Sequence, residues 1–192
     1  MVRGMMTMGQ VPTVESTLPG GKRIVVRVAR PEDAAGLLAS TTAVFAELGN
    51  TVTEPDEFQV TEEQERAWIE RKLNDPGGLL LVPEIDGAII GSLSLDRAGR
   101  RRLAHTATLG VIVNREWRGK GVGTVLIDTA LKWAAESGVI EKVCLSVFAS
   151  NGRAIRLYER LGFAEEGRRP KGIKVGPDRY DDEVLMYRFV ER

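Results

Sequence analysis

The amino-acid sequence predicts an α/β fold in which helices cover both faces of a mixed sheet. Three observations carry that expectation. Short apolar runs rich in β-branched residues alternate with segments whose apolar residues recur at helical spacing, in the order β-α-α-β-β-β-α-β-α-β-β. Asp86-Gly87 separates two apolar runs, the strongest short-range signal of an antiparallel hairpin. A chain of 192 residues suits one domain with a sizeable core, whereas two domains would each be small.

The elements follow in order. Residues 1–21 hold Met1, Met5, Met6 and Met8 with two prolines and several glycines, lack a continuous apolar centre, and read as a loose leader before a single domain over 22–192. Lys22 to Arg30 alternates from Ile24 as a first strand, and Pro31-Glu32-Asp33 starts a helix that runs to about Glu47. A polar loop with Glu54, Asp56 and Glu57 precedes Thr61-Glu62-Glu63-Gln64, whose spacing is that of a capping box opening a helix with Trp68, Ile69 and Leu73. Asn74 to Gly78 is a turn, and Leu79 to Ile85 with Ala88 to Leu95 are the two arms of the hairpin. His105 opens the strand that becomes Leu109 to Val113. From Val122, the residues Val125, Leu126, Thr129, Ala130 and Trp133 mark an amphipathic helix that stops at Gly138. Lys142 to Phe148 is a strand, and Ser150 or Asn151 begins a helix carrying Ala154, Leu157, Tyr158 and Leu161 on one face, closed by Gly162. Phe163 to Gly167 continues extended, Gly172 to Asp182 reads as a long polar loop, and Val184 to Phe189 is a last strand in hairpin with the one beginning at Phe163.

Chemistry concentrates between Leu109 and Gly123. There a buried strand turns into a helix through Arg118-Gly119-Lys120-Gly121-Val122-Gly123. Glycines at a helix start let main-chain N–H groups converge, and the helix dipole adds partial positive charge, so the spacing suits a phosphate, with Arg118 and Lys120 as cationic arms. Neither of two better-known phosphate loops fits: Lys120 is followed by Gly121 rather than Ser or Thr, and the glycines are spaced G-x-G-x-G rather than G-x-G-x-x-G.

Arg118-x-x-Gly121-x-Gly123 after the strand resembles the acyl-coenzyme A pyrophosphate loop of the GNAT acetyltransferase superfamily, and Asn151-x-x-Ala154-Ile155-x-Leu157-Tyr158-x-x-Leu161-Gly162-Phe163 resembles its second signature. The likeness spans about Ile24 to Phe189 and is clearest between His105 and Gly167. It implies a three-layer fold with a mostly antiparallel central sheet, in which the strands at Leu109–Val113 and Lys142–Phe148 splay apart to admit a pantetheine arm. It implies acetyl-CoA as co-substrate, held by Val111, Ile112 and Val113, by the loop Arg118, Gly119, Lys120, Gly121, Val122, Gly123 and Thr124, and by Asn151. The oxyanion would meet main-chain N–H groups around Ile112 and Val113. Tyr158 resembles the family tyrosine that donates a proton to the departing thiolate; helical spacing alone makes it a core aromatic. The carboxylate bases of two family branches fall here on Ser146 and Ala107, so a base acting through water, His105, or an acid of the Glu54–Glu57 loop stay open.

The reaction so implied is transfer of an acetyl group to the primary amine of a small molecule or amino acid. A protein N-terminus as acceptor, or a non-catalytic acyl-CoA sensor, are the alternatives. The homodimer common in this family is a further expectation. Lys plus Arg equals Asp plus Glu at 27 each, which leaves no overall field to attract nucleic acid or an anionic membrane. The basic turn Asp96 to Arg102 has no interleaved aromatics and reads as a solvated loop. One cysteine, Cys144, and one histidine, without metal-ligand spacing, argue against an internal disulfide or a zinc site and fit a reducing cytoplasm. No apolar run has transmembrane length.

Overall fold

The computed structural model describes residues 11–47 and 49–190. Nine strands form one sheet. In chain order the elements are β1 (Val14–Thr17), β2 (Arg23–Val28), α1 (Ala34–Phe45), α2 (Glu62–Leu73), β3 (Gly78–Ile85), β4 (Ala88–Ile89), β5 (Gly91–Arg97), β6 (Thr106–Val113), α3 (Val122–Glu136), β7 (Lys142–Phe148), α4 (Gly152–Arg160), β8 (Ala164–Gly176) and β9 (Arg179–Phe189). The strand order is β1-β2-β3-β5-β6-β7-β9-β8, with β4 pairing β3 off that path. Only β6 and β7 run parallel, so the expected mostly antiparallel sheet is present.

Alternation along β3 explains the layers. Leu79 and Leu81 join the core beneath α3, whereas Leu80 and Val82 face the other way and pack with Leu37 of α1 and Ile69 of α2. A central strand covered on both faces must be apolar on both, and the run Leu79 to Val82 is. Asp86 and Gly87 take φ of 51° and 82°, the paired positive values of the expected tight hairpin turn. Thr61 accepts from the Gln64 amide and Gln64 reciprocates, so the capping box forms as read.

Two expectations are corrected. Part of the stretch read as a loose leader is β1, an edge strand antiparallel to β2, followed by Leu18, buried in the main core; residues 1–10 of that leader lie outside the described residues. The loop expected over Gly172–Asp182 is the tip of a long hairpin, because β8 continues to Gly176 and β9 begins at Arg179. Its residues are mostly exposed, so no apolar alternation announces the strands; main-chain pairing and the Arg169–Glu183 ion pair (2.7 Å) hold them.

One half-buried charge cluster fixes how α1 leaves the sheet. Arg27 on β2 reaches Asp33 (2.6 Å) in the 3-10 turn before α1 and Glu84 (2.9 Å) on β3. Burial alone would push the Asp33 carboxyl up, but the Arg27 guanidinium and the Arg30 amide outweigh it and hold that carboxyl below the usual range. A depressed carboxyl contributes stability above its unfolded pKa, and that contribution is lost as pH falls through the folded value. The wild type therefore unfolds at a higher temperature than Asp33→Asn at pH 7, and the gap narrows below about pH 4; a gap independent of pH, in thermal melts at both values, contradicts the ion-pair account.

Candidate active site

The sheet opens at its centre. β6 and β7 pair only at Thr106↔Lys142, Ala107↔Val143 and Thr108↔Cys144. Beyond those rungs β6 pairs only with β5, and β7 only with β9. The direction of each main-chain group follows from neighbouring bonds. Thr106 O accepts from Ala98 on the β5 side and Asn114 N–H donates to Ile90 O there, whereas His105 O accepts from Glu141 and Lys142 on the β7 side. Alternation along the strand then turns Leu109, Val111 and Val113 toward the side β7 has left, and spends the groups of Ile112 on β5. The expected splay is therefore present, with a correction: the amides facing the gap around the expected oxyanion position are those of Val111 and Val113, not of Ile112.

The glycine-rich loop lies at the open end of β6. Gly119 and Gly121 have φ of 75° and 92°, and Gly121 is the N-cap residue of α3, without a capping side chain. The first helical bond is Val125 N–H to Gly121 O (3.2 Å), so the N–H groups of Val122, Gly123 and Thr124 have no intrahelical acceptor. Val122 itself is buried, and offers a ligand only main chain. A Cβ on Gly123 would come within 3.0 Å of Leu157 Cδ2, which seats α4 against the first turn of α3.

The cations of the loop divide differently from the sequence expectation. Arg118 is not a free arm: its guanidinium grips both carboxylate oxygens of Glu47 (2.7 and 3.0 Å) and its Nε donates to Val113 O (2.7 Å). It ties the segment after α1 to the end of β6, and its charge is paired within the chain. Lys120 lies 4.9 Å over the Trp117 ring, with no carboxylate partner among the described residues. Arg153 was missed in the sequence, where it is one of the unspecified positions after Asn151. Its guanidinium stands 2.9 Å from where a Cβ on Gly119 would be, so glycine there leaves room for a second cation.

Asn151 caps α4, its side chain accepting from the Ala154 amide (3.2 Å), so the capping role is realised. Tyr158 is 8% exposed and packs on Phe163 with ring centroids 5.9 Å apart. Burial pushes its hydroxyl up to about 12, and no hydrogen bond to that hydroxyl is found among the described residues. Its ring packs in the core, and its phenol stays protonated throughout the neutral range.

On the face of β5 and β6 beneath α1 and α2 lies a cavity of about 710 Å³. Leu37, Phe45, Phe58, Trp68 and Val111 line it with Ser92 and Ser94. None of the base candidates from the sequence lines it. His105 is exposed at the end of β6 where the strands still pair, and Glu54, Asp56 and Glu57 are exposed. Ser146, at one vacated base position, binds Glu183; that bond and Arg169 outweigh burial and keep the Glu183 carboxyl low, a poor proton acceptor.

The pattern of the family model for the acetyltransferase (GNAT) family matches residues 45–163. The chain belongs to the GNAT family. Members of this family use acetyl-CoA as co-substrate. The chain is 33% identical over 110 residues to the L-amino acid N-acetyltransferase AaaT of Escherichia coli, covering 57% of this chain and 68% of that protein. A GNAT-family acetyltransferase from Streptococcus pneumoniae superposes with a TM-score of 0.83 at 26% identity, covering 87% of this chain and 99% of that one. YncA of Salmonella typhimurium, solved with its cofactor acetyl-CoA, shares the fold with a TM-score of 0.77 at 21% identity, over 92% of this chain and 96% of its own. Among the described residues no helix is long and apolar enough to cross a membrane.

Proposed function

We propose that this GNAT enzyme acetylates the primary amine of a small molecule or amino acid. The observation that carries the reading is the gap between β6 and β7, which meets the cavity under α1 and α2 along Val111: one opening suits the thioester arm, the other an acceptor. Acetyl-CoA supplies an activated acetyl group. The chain's own residues then have separate tasks. The Leu109, Val111 and Val113 main chain offers partners to the pantetheine amides and to the acetyl carbonyl oxygen, since such groups must be satisfied once a ligand excludes water. The free amides of Val122 to Thr124, with Lys120 and Arg153, receive the diphosphate. Asn151 keeps its side-chain N–H groups for the pantetheine, and Tyr158 donates a proton to the sulfur. The amino-acid acetylation named for the Escherichia coli relative supports a small acceptor, and Arg71 on the cavity wall suits a carboxylate on it.

Calorimetry with acetyl-CoA tests the reading, with binding expected in the micromolar range. No binding at high micromolar ligand overturns it. Gly121→Val is expected to abolish that binding, because a β-branched residue at φ 92° is strained by roughly 1–3 kcal/mol and relaxes by moving the three amides. Unaltered affinity in a folded variant contradicts the main-chain phosphate site. Thiol release across a panel of amines and amino acids then identifies the acceptor.

A further inference from the structure

Glu65 has no place in the site as the sequence presents it. It is the N4 residue of α2, in a strongly charged stretch that predicts a solvated face, yet it is only 6% exposed and lines the cavity together with Val111. Neither a hydrogen bond nor an ion pair to its carboxylate is found among the described residues. A carboxylate largely withdrawn from water without a partner is destabilising, and burial accordingly pushes this one up. The elements packed around it contribute no compensating cation except from α2 itself: α1, the Phe58–Val60 segment, β5 and β6 present only apolar and neutral polar liners, and Arg71 is the cavity's one cation.

We propose that Glu65 receives the ammonium group of the acceptor and takes one of its protons. The proposal rests on the acetyltransferase reading and names the missing base. The acceptor class follows from the lining: a primary ammonium on an apolar body that Phe45, Phe58 and Trp68 can cover. An ammonium cannot attack a carbonyl, because its nitrogen lone pair is held by the proton. Transfer of that proton leaves a neutral amine and a neutral carboxylic acid, which removes both charges from the cavity together. As the N–C bond forms and the C–S bond breaks, Tyr158 gives its proton to sulfur, the second proton from nitrogen restores the phenol, and Glu65 returns the first to water. A base raised by burial is nearer in strength to an amine than an exposed glutamate, which favours the transfer. Glu183, held low by its partners, is not so placed.

The test is Glu65→Gln in the full chain, with phenethylammonium and its neutral analogue 2-phenylethanol as calorimetric probes at pH 7. The expected result is at least a tenfold weaker phenethylammonium affinity, an unchanged 2-phenylethanol affinity, an unchanged acetyl-CoA affinity and a Tm no lower than wild type. In the wild type, phenethylammonium affinity falls as pH drops through the raised Glu65 carboxyl value, and in the variant this dependence disappears. Equal phenethylammonium affinity in the two proteins, equal weakening of both probes, or no phenethylammonium binding to the wild type at millimolar concentration overturns the proposal. Loss of acetyl-CoA binding in the wild type would instead overturn the acetyltransferase reading, while the probe comparison remains readable.

Discussion

Replacing Tyr158 by phenylalanine lowers kcat by about 100-fold, the size of effect a lost general acid produces, and leaves acetyl-CoA affinity within twofold. The substitution keeps the ring, and with it the packing on Phe163 and the core that includes Val147 and Val184. It removes only a hydroxyl for which the described residues supply no partner, so the fold loses nothing and Tm stays level or rises. That separates the two identities of this residue. If Tyr158 were merely a core aromatic, phenylalanine would be silent in kinetics as well as in stability, and an unchanged kcat would discard the acid role. The raised hydroxyl, about 12, also means that no basic limb from Tyr158 should appear in the pH–rate profile below about pH 10.

Gly91→Val has the largest expected effect on the fold. Gly91 is the first residue of β5 and sits opposite Val113, at the point where β6 faces the gap. A Cβ there would fall on the Ile112 carbonyl oxygen and 3.1 Å from Val113 Cα, and both atoms are main chain that no rotamer change can move aside. Relief requires parting β5 from β6, which breaks ladder bonds and shifts Val111 to Val113 together. The expected loss is about 3 kcal/mol. For a domain of this size that lowers Tm by roughly 6–12 °C. Acetyl-CoA affinity should fall with it, since the amides offered to the ligand lie on the displaced strand. Gly99→Ala, where a Cβ meets nothing within 4 Å, is the matched control and should stay within about 0.5 kcal/mol of wild type. A wild-type melt for Gly91→Val means that the close approach is not a constraint.

What could be read in the sequence was local. The 3.6-residue recurrence from Val125 to Trp133, the Asp86-Gly87 turn, the Thr61–Gln64 box and the two glycine and asparagine motifs each specify dihedral angles or a buried face within a few residues. Those choices are made by neighbours in sequence. They sufficed for the family and for the loop at the start of α3. The hairpin of β8 and β9 was partly invisible for the converse reason, because strands exposed on both sides carry no period-two apolar signal.

Tertiary structure decided the rest of the site. Arg118 reads as a phosphate arm until Glu47, 71 positions away, claims its guanidinium. Glu65 reads as one acid in the charged first turns of a helix until the tertiary fold closes most of its surface off from water. Which amides of β6 are free depends on where β7 departs, a matter of strand pairing rather than of any residue's own preference. Charge partners, desolvation and open strand edges are properties of surfaces brought together from distant parts of the chain, and a sequence pattern records only what each surface contributes.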